Sequence, residues 1–111
     1  MTDSKALKLL QEGKQQALEW FIDRYSGYVG TIVNSVLQGS MGQADVEEVT
    51  ADVFVTLWKN AERLFPLNIK GYLSRVSRSL AMRKLRERKQ ELSLEEDILI
   101  LEEDSLIEKL D

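Results

Sequence analysis

The densest chemistry in the chain lies between Lys70 and Lys89, where eight basic side chains stand against one acid, Glu87, beside the aromatics Phe65 and Tyr72. Lysine and arginine pair with phosphates, and an unstacked base can lie on an aromatic ring, so the pattern suits a single-stranded nucleic-acid backbone. A solvated helix face is the plainer reading of any charge run. Glu87 apart, however, the segment lacks the balancing i, i+4 acids that an ordinary exposed helix mixes in, which favours nucleic acid.

A second candidate is "DVEEVTADVFVTLWKNAERL", Asp45 to Leu64. Read as a helix, it places Val46, Val49, Val53, Phe54, Leu57, Trp58, Ala61 and Leu64 on a broad apolar arc, with Glu48, Asp52, Val55 and Lys59 on the other side. Glu48 and Asp52 are four residues apart and repel one another on an isolated helix by roughly 0.2–0.5 kcal/mol. A basic partner would relieve that repulsion and cover Val55; an ordinary solvated surface is the alternative.

Other chemistry is excluded by what the sequence lacks. It has no cysteine and no histidine, which rules out disulfides, thiolate chemistry, the usual zinc sites and a serine–histidine dyad. It has no glycine-rich phosphate loop. Its carboxylates fall on solvated helix faces, without the apolar or paired setting that shifts a pKa for acid–base work. Neither an enzyme nor a cofactor is expected.

The elements that must position these residues read as helices. At 111 residues with a single proline, the chain has room for one core and little β signal. The spacing predicts a short first helix from an Asp3 or Ser4 cap to a stop at Gly13, then a long one through Leu18, Phe21, Tyr25, Val29 and Val33 that Gly27 and Gly30 could kink. Ser40 with Gln43 forms a capping-box signature for the third helix. Pro66 breaks the chain, Asn68 caps the last helix, and Ile69, Leu73, Val76 and Leu80 make its buried stripe to about Gln90. The following acidic segment could form short helices capped at Ser93 and Ser105.

Charge divides the chain at the same place. Residues 1–90 hold 14 Lys and Arg against 10 Asp and Glu, whereas residues 91–111 hold one Lys and nine acids. The expected organisation is therefore a helical domain over 1–90 and an acidic linker or tail over 91–111. No stretch is apolar enough for a membrane span or a signal peptide, so a cytoplasmic protein with no membrane partner is expected.

Three blocks, "ALEWFIDRYSGYV", "DVEEVTADVFVTLWKNAERL" and "GYLSRVSRSLAMRKLRERKQ", together resemble the second conserved region of bacterial RNA polymerase sigma factors of the extracytoplasmic-function type. The likeness spans about Leu18 to Gln90. It is most specific at Asp45, Glu47, Glu48, Val53, Phe54, Leu57 and Trp58, and continues in the order Tyr72, Leu73, Arg75, Val76, Arg78.

The resemblance implies an all-α fold, a compact bundle of about four helices with an acidic C-terminal linker. It implies docking on the clamp helices of the β′ subunit of core RNA polymerase through Glu48, Thr50, Ala51, Asp52, Val55 and Lys59, with Ala51 where the family commonly has Gln. It further implies recognition and melting of the minus-ten promoter element, with a flipped base of the non-template strand captured by the loop and helix start. The DNA-binding set is then Phe65, Leu67, Asn68, Lys70, Tyr72, Arg75, Arg78, Ser79, Arg83 and Arg86. Ser79 stands where the family usually has Asn, and Tyr72 where it usually has Trp. An anti-sigma protein is a further partner of such factors. Family members continue into a helix-turn-helix domain, so the chain is expected to be the N-terminal part of a longer protein. The reading from another class is a small protein-interaction module whose basic helix docks an acidic partner, its own tail included.

Overall fold

A computed structural model describes residues 1–65 and 68–110, with side chains described as far as Glu96. Helix α1 spans Asp3–Gln11, α2 Gln15–Leu37, α3 Gln43–Asn60 and α4 Ile69–Leu110, with a 3₁₀ turn at Ala61–Arg63 between the last two. The all-helical expectation holds, and no strand occurs among the described residues. The break at Pro66 and the candidate Leu67 lie outside those residues.

Local chemistry sets the helix ends. Thr2, rather than Asp3 or Ser4, caps α1, its hydroxyl accepting from Lys5 N at 3.2 Å. Asp3 has another use, since its carboxylate accepts from the Tyr25 hydroxyl and faces Arg24 Nε at 3.4 Å. Gly13 stops α1 as expected: its φ of +82° is the left-handed conformation, and Lys14 N reaches back to Leu9 O at 3.0 Å while Gly13 N reaches Leu10 O at 2.9 Å. The expected capping box at Ser40 and Gln43 does not form. Ser40 instead closes α2, donating its backbone N–H to Leu37 O at 3.0 Å, and α3 begins from Gly42 without a side-chain cap.

Helix α2 runs unbroken through Gly27 and Gly30 and packs against each of the other three helices. Its buried line, Ala17, Phe21, Tyr25, Val29, Val33 and Leu37, recurs at every fourth position, close to the spacing of one helix face. Against it lie Leu7 and Leu10 of α1, Val46, Val49, Val53, Phe54 and Leu57 of α3, and Ile69 and Leu73 of α4. Phe21 sits at the centre, edge-on to Trp20 and stacked on Tyr25. Its truncation to alanine should cost about 3–5 kcal/mol.

Helix α4 departs from expectation twice. Its buried line is Ile69, Leu73, Ser77 and Ala81, with Val76 and Leu80 half-buried at the edge. Ser77 is tolerated there because its hydroxyl donates to Leu73 O at 2.6 Å, leaving no orphaned polar atom. The helix also passes Gln90 and ends at Leu110, so Ser93 and Ser105 lie inside it instead of capping new helices. Beyond Gly71 that span contains neither glycine nor proline and is rich in Leu, Glu, Lys and Arg, all strong helix formers. At 1.5 Å per residue such a helix is about 63 Å long. It accounts for most of the 73 Å long axis of a molecule only 24 × 20 Å across. No helix among the described residues is long and apolar enough to cross a membrane.

Candidate nucleic-acid and protein-docking interface

The N-terminal end of α4 is shaped by Asn68. Its Oδ1 accepts from Gly71 N at 2.9 Å, satisfying one of the free N–H groups that every helix start presents. Gly71 allows this closeness: a Cβ there would stand 2.5 Å from Asn68 Nδ2. Before the cap, Phe65 is 80% exposed. After the cap, Lys70 holds its ammonium 4.9 Å from the centre of the Tyr28 ring on α2.

Tyr72 is half-buried, its hydroxyl accepting from Asn60 Nδ2 at 3.3 Å, so one edge of this ring is fixed to the end of α3. Arg75, Arg78, Ser79 and Arg86 are all exposed. Their spacing places them along one outward face of α4. Arg83 leaves this row toward α3 and faces Glu87 at 3.8 Å. Among the described residues, the expected nucleic-acid set therefore comprises an exposed aromatic ahead of α4, a capped helix start and, with Arg83 set apart, a cationic face on α4.

The expected docking residues of α3 divide between two sides. Thr50, Ala51 and Val55 line an apolar groove of about 510 Å³ against Leu18, Ile22 and Gly30 of α2. The Thr50 hydroxyl donates to Val46 O at 2.7 Å, which satisfies its proton within its own helix. On the other side, Glu48 and Asp52 border α4 at Leu80, Arg83 and Lys84. Lys59 lies farther along, near Gln11 and Glu62. Trp58 and Val55 are exposed, by 39% and 48%, and share a small depression with Leu18, which extends the apolar groove.

Two contacts were not legible in the sequence. Lys84 Nζ on α4 reaches Glu48 Oε2 at 3.0 Å and Asp45 Oδ1 at 4.0 Å, so part of the acidic row is met by the chain's own cation. The hydrogen bond to Glu48, with the nearby acids adding to it, raises the Lys84 pKa above its ordinary value. Gln11 of α1 reaches the 3₁₀ turn that precedes Phe65. Sequence separations of 36 for Lys84–Glu48 and 50 or more for Gln11 leave no periodic signal for either contact.

No family model matches the chain, and no curated protein matches it. Among solved structures it is similar to an NMR structure of an engineered region 2 of sigmaE in complex with GTAAAA, at 20% sequence identity and a TM-score of 0.74. The match covers 83% of this chain and 94% of that one. The chain thus has the helical-bundle fold of a sigma region 2.

Proposed function

We propose that this chain is a promoter-recognition domain of the extracytoplasmic-function sigma type, a binding module that leaves the chemistry to core RNA polymerase. The observation that carries this reading is Phe65, 80% exposed beside the capped start of a helix whose outer face is cationic. A ring so placed offers a stacking surface to an unpaired base, while Arg75, Arg78 and Arg86 follow the phosphates. The fold adds support, because the similar sigmaE region 2 was solved with GTAAAA. In this reading the domain captures a flipped base of the non-template strand at the minus-ten element and so favours the melted duplex.

Docking on polymerase is assigned to the outer surface of α3. Glu48 and Asp52, on the α4 side, would face basic side chains of the β′ clamp helices, while Val55 and the apolar groove on the α2 side would take up aliphatic surface. Residues 91–111 are read as an acidic linker outside the bundle, and the protein as one that works in the cytoplasm.

The deciding experiment is binding of the chain to a purified β′ clamp-helix fragment, alongside the double reversal Glu48→Lys and Asp52→Lys. Micromolar or tighter binding that the reversal abolishes, with helicity unchanged, is the expected result. No binding by the unaltered chain would remove the polymerase half of the proposal and leave the nucleic-acid half to be tested with single-stranded DNA.

A further inference from the structure

Phe65 leaves the bundle just after a 3₁₀ turn of three residues, Ala61–Arg63, an element too short to fix its own exit direction. A side chain distant in sequence, on the neighbouring helix α1, reaches it. Gln11, in the last turn of α1, donates from Nε2 to Ala61 O at 2.9 Å and to Leu64 O at 3.1 Å. Leu64 N in turn donates to Ala61 O at 3.1 Å, closing the turn between those two carbonyls. The Ala61 carbonyl thus accepts from both the turn and Gln11, and the same amide group supplies a partner to the Leu64 carbonyl at the end of the turn. Gln11 is half-buried, with Leu10 beside it fully in the core, so the donor is itself held in place.

The consequence falls on Phe65, because the Leu64 carbonyl belongs to the peptide unit that joins the two residues. Fixing that plane restricts the directions in which the ring can project. A ring already directed outward captures a base without the ordering cost that a mobile loop incurs on binding.

We propose that Gln11 is a positioning residue for base capture, which makes α1 part of the nucleic-acid site although it contacts no nucleotide. The inference rests on the reading of Phe65 as a stacking surface. Glutamine suits the task because its amide nitrogen carries two N–H donors, one for each carbonyl. Leucine fills a similar volume with no donor, and glutamate keeps the shape but only accepts.

The test compares the unaltered chain, Gln11→Leu, Phe65→Ala and the double variant for binding to a fluorescein-labelled single-stranded DNA of mixed sequence at one salt concentration. Phe65→Ala should weaken binding about fivefold or more. Gln11→Leu should weaken it about threefold when Phe65 is present and not at all in the Phe65→Ala background, the non-additivity expected of coupled residues. Equal losses in both backgrounds, or no loss in either, would overturn the proposal.

A second measurement uses no DNA. Hydrogen exchange at the Leu64 amide should speed up about tenfold in Gln11→Leu, because the turn it closes opens locally. An unchanged rate would overturn the positioning role. Gln11→Glu serves if the leucine variant folds poorly, since it too removes both donors. Equal DNA binding by the unaltered chain and Phe65→Ala would sink the stacking surface and with it the role of Gln11 in capture. The Leu64 exchange rate would then report separately whether Gln11 holds the loop.

Discussion

Lys84 Nζ lies 3.0 Å from Glu48 Oε2, a contact that joins the basic helix α4 to the acidic row of α3. Glu48 is also the first residue assigned to polymerase docking, so an incoming cation competes with one already in place. Both side chains retain solvent contact, at 26% for Lys84 and 58% for Glu48, and pairs of this kind contribute about 0–1 kcal/mol to stability. Lys84→Met should therefore leave thermal stability nearly unchanged. It should also tighten binding of the β′ clamp fragment several-fold, because Glu48 and Asp45 are then free to meet the partner. Weaker clamp binding by this variant would show that Lys84 itself contributes to the docking surface.

The Asn68 cap and Gly71 form a pair whose coupling has a predictable sign. Asn68→Ala should destabilise α4 by about 0.5–2 kcal/mol through loss of the bond to Gly71 N. Glycine to alanine within a helix ordinarily gains about 1 kcal/mol. Here the new Cβ would displace the Asn68 side chain, so Gly71→Ala alone should gain little or lose. In the Asn68→Ala background the same substitution should recover the full gain, as urea unfolding of the two singles and the double would reveal.

These two relationships mark where sequence reasoning succeeded and where it stopped. Gly13, Asn68 and the buried line of α2 act through neighbours within about one helical turn, so residue type and spacing were enough to place them. The end of α4 was misplaced because a change of charge at Gln90 suggested a boundary, whereas helix formation responds to backbone and side-chain preference and found no breaker. The α1 cap moved to Thr2 because a tertiary contact with Tyr25 claimed Asp3. At the candidate site the exposed face of α4 was legible from periodicity. The division of the α3 residues between an α2 side and an α4 side was not, since it depends on which helices flank α3.

Tyr25 gives the fold an alkaline limit. Burial, reinforced by the hydrogen bond to Asp3, raises its pKa above the ordinary 10.0. Folding thus favours the protonated phenol, and this contribution is fully present below pH 10.0 and is lost as pH rises through the higher folded value. Stability followed by circular dichroism should fall over that window, with tyrosinate absorbance reporting the late ionisation of Tyr25. Tyr25→Phe should remove the late phenol and flatten the part of the fall that Tyr25 causes. Lys84, whose pKa is also raised, acts with the same sign, so Lys84→Met should remove a separate part of the alkaline decline.

The cations of α4 should differ in what they contribute to nucleic-acid binding, according to their place on the helix. Arg75, Arg78 and Arg86 stand exposed along its outer face, whereas Lys84 is turned inward against Glu48 and Asp45. Each phosphate neutralised on a single strand contributes about 0.7 to the slope of log K against log salt. Replacing the three arginines with glutamine should make that slope shallower by about 2, while Lys84→Met should leave it unaltered. Affinity should fall with the triple change at low salt and converge with that of the unaltered chain at high salt, where screening removes the difference. A slope that responds equally to Lys84 and to the arginines would mean that the inward pair opens when DNA binds, so that the acidic row and the cationic face act as one coupled surface.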